Sequence, residues 1–357
     1  MSKRIVLLLL GAFTASQLFG QGFGIPSKRG GIGFGNLSHF TGIRFNFKNR
    51  DVERINGVNV TVWQGNEEDQ SGTVNGIAIG LPLAMGAEEQ NGLGLAVGGV
   101  GAKRNLSGIN LAGLAVGAGE SVRGISVAGL GVGAGEDLRG INVGGLGAGA
   151  GGNVSGFNFG GLGIGAGSNL SGFNFGGLGL GAGGKVKGIS IGGLGIGAGD
   201  DLTGISASLI GIGAGGRVRG IQVAGIGIGG GEEVKGLSVA GVGIGGSRVT
   251  GIAIAPAVGG ETIKGIMIAP AYFRVGSDNR QKLDAEEYDA DMEGVMRGIS
   301  VSAFNQIKGD QIGAAFGVVN YTHRIKGVQF GLINIVKENP RGLRVLPIFN
   351  TRFYKKG

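Results

Sequence analysis

Several strings in this chain carry residue types that phosphate, cation or acid–base chemistry uses. Gly131-Val132-Gly133-Ala134-Gly135 is one of many GxGxxG-like runs. A dinucleotide fold needs a helix after such glycines, with the phosphate at its N-terminus. No helical apolar period follows any of them, so strand and turn glycine is the better reading. GAGEDLRG (133–140) has the glycine-and-carboxylate composition of a β-roll calcium turn. Calcium wants several oxygen ligands from neighbouring turns. The equivalent turns GGNVS, GSNLS, GGKVK and GGRVR offer no carboxylate, and two are basic. Asp284, Glu286, Asp289 and Asp291 are denser in acid, but a solvated loop accounts for them. His39 and His323 have no repeated carboxylate nearby in sequence and read as surface histidines at strand ends. Cysteine is absent, which removes disulfides, thiolate metal sites and a cysteine nucleophile. The sequence therefore predicts no enzyme, no catalytic, cofactor-binding or metal-binding residue, and no cofactor.

The elements that would have to position any chemistry come from an unusual composition. Of 357 residues, 85 are glycine, against a usual share of roughly 7%. Only 6 are proline, which excludes a collagen-like chain, and 42% are hydrophobic, which argues against disorder. The net charge is +8, but the basic residues are scattered among acidic turns and aromatics make up only 6%. No stacking platform for nucleic acid is visible, and basic residues facing an anionic envelope surface are the milder reading. Lys3 and Arg4 precede an apolar stretch, Ile5 to Ala15, and then small or polar residues up to Gln21. That order predicts a secretory signal peptide over 1–21.

Glycine recurs at 76, 92, 108, 124, 140, 156, 172, 188, 204, 220 and 236, sixteen residues apart, and continues at 251 and 265. A fixed period marks a repeat architecture. In the unit GISVAGLGVGAGEDLR (124–139), counting Gly124 as position 0, apolar side chains fall at positions 1, 3, 6, 8 and 14. Spacing of two is strand periodicity. The step from 3 to 6 breaks parity, so a corner or bulge is expected at positions 4 and 5, where Ala or Gly is followed by Gly. Pro256, Pro270 and Pro347 sit at position 5 after Gly251, Gly265 and Gly342, and Pro82 at position 6 after Gly76. A corner accepts proline where a central strand does not. Each unit thus reads as two short strands around a corner, with a wider turn at positions 11 to 15. Positions 1, 3, 6, 8 and 14 would point inward, and the glycines at 7 and 9 outward. Charge alternates between the turns of Lys185/Lys187, Asp200/Asp201, Arg217/Arg219 and Glu232/Glu233; stacked coils would bring opposite charges together, and a barrel would set them at opposite rims.

The flanks differ. Gly42 to Lys48 and Gly57 to Trp63 alternate cleanly and look like a capping hairpin. The expected organisation is a signal peptide (1–21), N-terminal strands or cap (22–75), a glycine-rich array (76–275), an acidic insertion (276–297) and divergent C-terminal repeats (298–357). Asn305, Asn320, Asn334 and Asn350 recur at position 7 or 8 of the last units.

The segments GISVSAFNQIKG (298–309), GVVNYTHRIKGVQFGLINIV (317–336) and GLRVLPIFNTRF (342–353) resemble tandem G-h-x-h-G-L-h-N-h units, with h apolar. Such units occur in uncharacterised glycine-rich surface-repeat proteins of the bacterial cell envelope. The resemblance covers the chain from about Gly42 onward. It implies a cell-envelope or surface location and no activity.

The expected fold is an all-β tandem-repeat solenoid with one coil per sixteen residues, because every turn has the same plan. The alternative is an outer-membrane β-barrel with one strand per repeat. The expected function is a non-enzymatic envelope or surface protein of a Gram-negative-type bacterium, with a structural or interaction role. Its partner would be an envelope component: a protein, a glycan or a membrane surface. A barrel pore or scaffold, a periplasmic location and a glycan-acting enzyme on a solenoid remain the alternatives.

Overall fold

A computed structural model describes residues 22–64, 66, 68–276 and 294–353. The signal-peptide segment 1–21 and the acidic residues Asp284, Glu286, Asp289 and Asp291 lie outside the described residues. The chain is a β-solenoid of about 17 coils spaced about 16 residues apart. Strand pairing within the array is parallel and in register, one coil on the next. Gly140 pairs with Gly124 and Gly156, and Val132 with Val116 and Ala148. A one-strand-per-repeat barrel needs antiparallel neighbours, so this pairing replaces the barrel alternative.

The type coil has a long strand, Asp137–Gly144, and a short one, Gly147–Ala150. Corners lie between them at Gly145-Leu146 and after them at Gly151-Gly152. The corner expected near positions 4 and 5 is present, one residue later. The wider turn expected at 11–15 is confined to two residues. Corners stack as strands do: Leu130 N–H donates to Leu114 O at 2.8 Å and Leu146 N–H to Leu130 O at 2.7 Å. The next coil therefore satisfies backbone groups that a corner would otherwise leave open.

The glycine that marks the period lies inside the long strand. Gly140 has φ +116, and a Cβ there would sit 2.0 Å from the carbonyl oxygen of Gly124, one coil back. Only glycine tolerates both the dihedral and the contact. This requirement recurs in each coil and sets the sixteen-residue signal.

The side-chain assignment expected from sequence is partly overturned. Positions 8 and 14 point inward as expected: Val132 and Leu138 are buried. Positions 1, 3 and 6 point outward instead, with Ile125, Val127 and Leu130 exposed. Even positions face the lumen along the long strand, so positions 2 and 4 fill it, as Ser126 and Ala128. The parity break between 3 and 6 is real, but the corner leaves both residues outside. Position 4 is tightly confined. At position 4 of the next coil, a Cβ on Gly144 would lie 1.9 Å from the carbonyl oxygen of Gly147.

The chain divides into two compact units, 1–178 and 179–357. The first opens on an antiparallel hairpin, Phe23–Ser27 with Gly30–Phe34. The strands His39–Lys48 and Arg54–Trp63, expected to form a capping hairpin, pair in parallel as ordinary coils. Their clean alternation reflects half-exposure, which a coil strand shares with a hairpin. The capping role falls to residues 23–34. In the second unit the coil plan continues through Gly294–Val301, Phe304–Phe316 and Val319–Val336. Val345–Thr351 then pairs antiparallel with Val319–Val336. Pro256 and Pro270 lie at corners as expected, but Pro347 lies within this final strand, and Gly342 in a short 3-10 turn. The register shifts between Gly331 and Asn334, across from Pro347. A bulged or edge strand tolerates the missing N–H donor.

Candidate interaction face

Outward columns of large apolar side chains follow from this geometry at positions 1, 3 and 6, with Leu111 and Val127 at position 3. In the first unit, position 1 stacks Ile109, Ile125, Ile141 and Phe157, and position 6 stacks Leu114, Leu130, Leu146 and Leu162. In the second unit, Ile189, Ile205 and Ile221 form the equivalent of position 1. Stacking covers part of each side chain but not all: Ile205 remains 48% exposed and Leu114 53%. The aromatic members stack plane on plane. Phe157 and Phe173 centroids are 5.0 Å apart at 3°, and Phe159 and Phe175 are 5.1 Å apart at 2°. Large contiguous apolar patches on a folded surface mark a contact site.

The lumen also holds polar residues. Asn142, Asn158 and Asn174 are fully buried at position 2. Asn142 Nδ2 donates to Asn158 Oδ1, and Asn158 Nδ2 to Asn174 Oδ1, each at 2.9 Å. One coil lower stands Ser126, whose hydroxyl finds no partner, as does Asn142 Oδ1. The recurrent asparagines of the last units behave alike: Asn305 Nδ2 donates to Asn320 Oδ1, and Asn320 Nδ2 to Asn334 Oδ1, each at 2.7 Å. Asn350 donates to the carbonyl of Asn334 at 3.0 Å. Identical amides sixteen residues apart were the available signal for an inward position, since a ladder satisfies both donor and acceptor.

Charged side chains lie on the outer surface and pair between coils. Arg104 bridges Glu88 at 3.0 Å and Glu120 at 2.8 Å, and both carboxylates raise its pKa. Arg217 grips Asp201 through Nε–Oδ1 at 3.1 Å and Nη2–Oδ2 at 3.2 Å. Those hydrogen bonds hold the Asp201 carboxyl down at about 2. Asp137, in the calcium-like string, accepts from Asn153 Nδ2 at 3.0 Å and Arg139 Nη2 at 2.6 Å. The Asn153 bond leads in lowering its pKa. Its oxygens are thus engaged by protein donors. Among the described residues, the exception to outward charge is Arg44, fully buried among Asn59, Asn49 and the Leu37 carbonyl. Burial pulls its pKa down to about 10.

His39 is the exposed first residue of its strand, whereas His323 lies mid-strand with Nε2 3.0 Å from the Tyr321 hydroxyl. Among the described residues, no three His, Asp or Glu side chains converge on one point, and no helix is long and apolar enough to cross a membrane. An open cleft beside Ser247, Glu261 and Arg274 brings opposite charges to one edge of the second unit. Set against family models, curated proteins and solved structures, the chain gives no match in any of the three.

Proposed function

We propose that this is an exported cell-envelope repeat protein that works by contact rather than by catalysis, and that the outward apolar columns are its contact face. The observation that carries the reading is the direction of positions 1, 3 and 6. A coil that buries serine and asparagine while exposing isoleucine, leucine and phenylalanine inverts the usual partition. Full burial of such a side chain is worth about 1.5–3 kcal/mol, so covering the exposed part of each recovers roughly 1 kcal/mol. Repeated over many coils, that sum supports stable association. The basic, apolar and small-residue order of Met1 to Gln21 supports export. The partner is an envelope component: a protein, a glycan or a membrane surface.

Fractionation of a Gram-negative host producing the full chain tests this reading. The wild type is expected with the envelope. A triple variant, Ile189→Thr, Ile205→Thr and Ile221→Thr, keeps β-branched side chains and is expected to shift towards the soluble fraction. Equal distribution of the two proteins, both folded by circular dichroism, would remove the apolar face from the account.

A further inference from the structure

Next to the apolar columns of the second unit runs a column with a different charge rule. Position 15, immediately before each kinking glycine, stacks in register as Lys187, Thr203, Arg219, Lys235, Thr250, Lys264, Arg297, Ile312 and Lys326. Basic residues dominate it and no acid occurs. Arg219 and Lys235 are direct neighbours, as are Lys264 and Arg297. Like charges opposite one another in a sheet are destabilising.

The chain has the means to avoid that cost. Two residues earlier, position 13 stacks Asp201, Arg217, Glu233 and Arg248 in alternating sign. After the uncharged Thr262 and Val295, Asp310 and Arg324 form a further opposite pair. Position 13 therefore compensates itself, whereas position 15 does not. Within position 15, Arg219 reaches across to Glu233 at 3.1 Å. Lys187, Lys235, Lys264, Arg297 and Lys326 are exposed. On the far side of the glycine lie the exposed Ile189, Ile205, Ile221, Ile252, Ile266 and Ile299. The neighbouring position-3 column, which includes Val301, closes on exposed Phe316 and Phe330, stacked at 5.4 Å.

We propose that the second unit lies on an anionic lipid bilayer through this face. The isoleucine and phenylalanine columns enter the boundary between headgroups and acyl chains, and the position-15 column meets lipid phosphates. This rests on the apolar columns being a contact face and names what they contact. Apolar area beside a basic row is the combination that holds a protein at an anionic membrane interface. The chemistry is that of an interfacial amphipathic element, here built from stacked strands. An uncharged partner would leave the uncompensated basic column without a counterpart. A second copy packed with like columns facing would add repulsion.

Vesicle sedimentation with the full chain tests the proposal. Vesicles of phosphatidylglycerol and phosphatidylcholine in equal parts are expected to carry the protein down, and phosphatidylcholine alone much less. The triple variant Lys187→Gln, Lys235→Gln and Lys264→Gln is expected to lower partitioning on the mixed vesicles on the order of 100-fold, at about fivefold per charge. The isoleucine-to-threonine triple variant is expected to lose binding as well. Equal binding to both vesicle types, or an unaffected lysine variant, would overturn the proposal. Failure to bind any vesicle would also overturn it. If the isoleucine variant still left the envelope in cells after that failure, the contact-face reading would stand and the partner would be a protein or glycan. Light scattering on the same samples that found a dimer broken by the isoleucine variant, without vesicle binding, would assign the face to a second copy and overturn the lipid.

Discussion

At the residue scale, glycine performs two separable jobs. At position 0 it is required by dihedral and by contact, as at Gly140; on the outer face of the short strand it only keeps the surface flat. Gly165 has open space where a Cβ would go. Gly140→Ala is therefore expected to destabilise the chain by at least about 2–3 kcal/mol, from a disallowed φ and a clash with the Gly124 carbonyl. Gly165→Ala is expected to be neutral or stabilising by up to about 1 kcal/mol, because it restricts the unfolded chain. Denaturant midpoints of the two variants check the contrast. The asparagine ladder makes a second residue-level prediction. Asn158→Ala strands Asn142 Nδ2 and Asn174 Oδ1 in the lumen, and each orphaned group costs about 1–3 kcal/mol. A loss of about 2–6 kcal/mol in urea unfolding is expected. No measurable loss would mean that water enters the lumen.

At the element scale, the coil was legible from sequence in its period and corners but not in its facing. The sixteen-residue glycine signal, the corner and the prolines at 256 and 270 all follow from backbone requirements, and such requirements leave marks on single residues. Which side of a strand faces inward depends on lumen width, which only neighbouring coils define. Apolar residues at 1 and 3 flanking a polar residue at 2 therefore read as inward, and the structure reverses them. Pro347 misled for a related reason: an edge strand accepts proline as readily as a corner does. The charged column at position 13 gives the element its pH dependence. Arg217 lowers the Asp201 carboxyl from 3.8 to about 2 in the folded chain. Between those values the unfolded chain binds the proton and the folded one does not. This stabilisation is therefore complete above pH about 4 and is lost as pH falls through about 2. Thermal melts of wild type and Asp201→Asn are expected to differ above pH 4 and to converge towards pH 2.

At the scale of the whole molecule, a parallel solenoid could be reached from the uniform turns, because stacked coils make every turn equivalent. The proposed contact face could not, since it requires knowing that the apolar side chains at positions 1, 3 and 6 are outside. Its basic margin in the second unit was hidden for the same reason: net charge reports neither columns nor their neighbours. Once position 1 is placed outward and position 2 inward, the apolar columns, the buried amide ladder and the uncompensated basic column follow together. The most direct test uses the absence of native cysteine. Ile205→Cys and Ser206→Cys are made singly in the full chain, and thiol labelling rates are compared in the folded and denatured states. Ile205→Cys is expected to label rapidly when folded, and Ser206→Cys only after denaturation. The opposite order, with Ser206→Cys open and Ile205→Cys protected in the free folded chain, would place the apolar columns in the lumen and contradict the contact face.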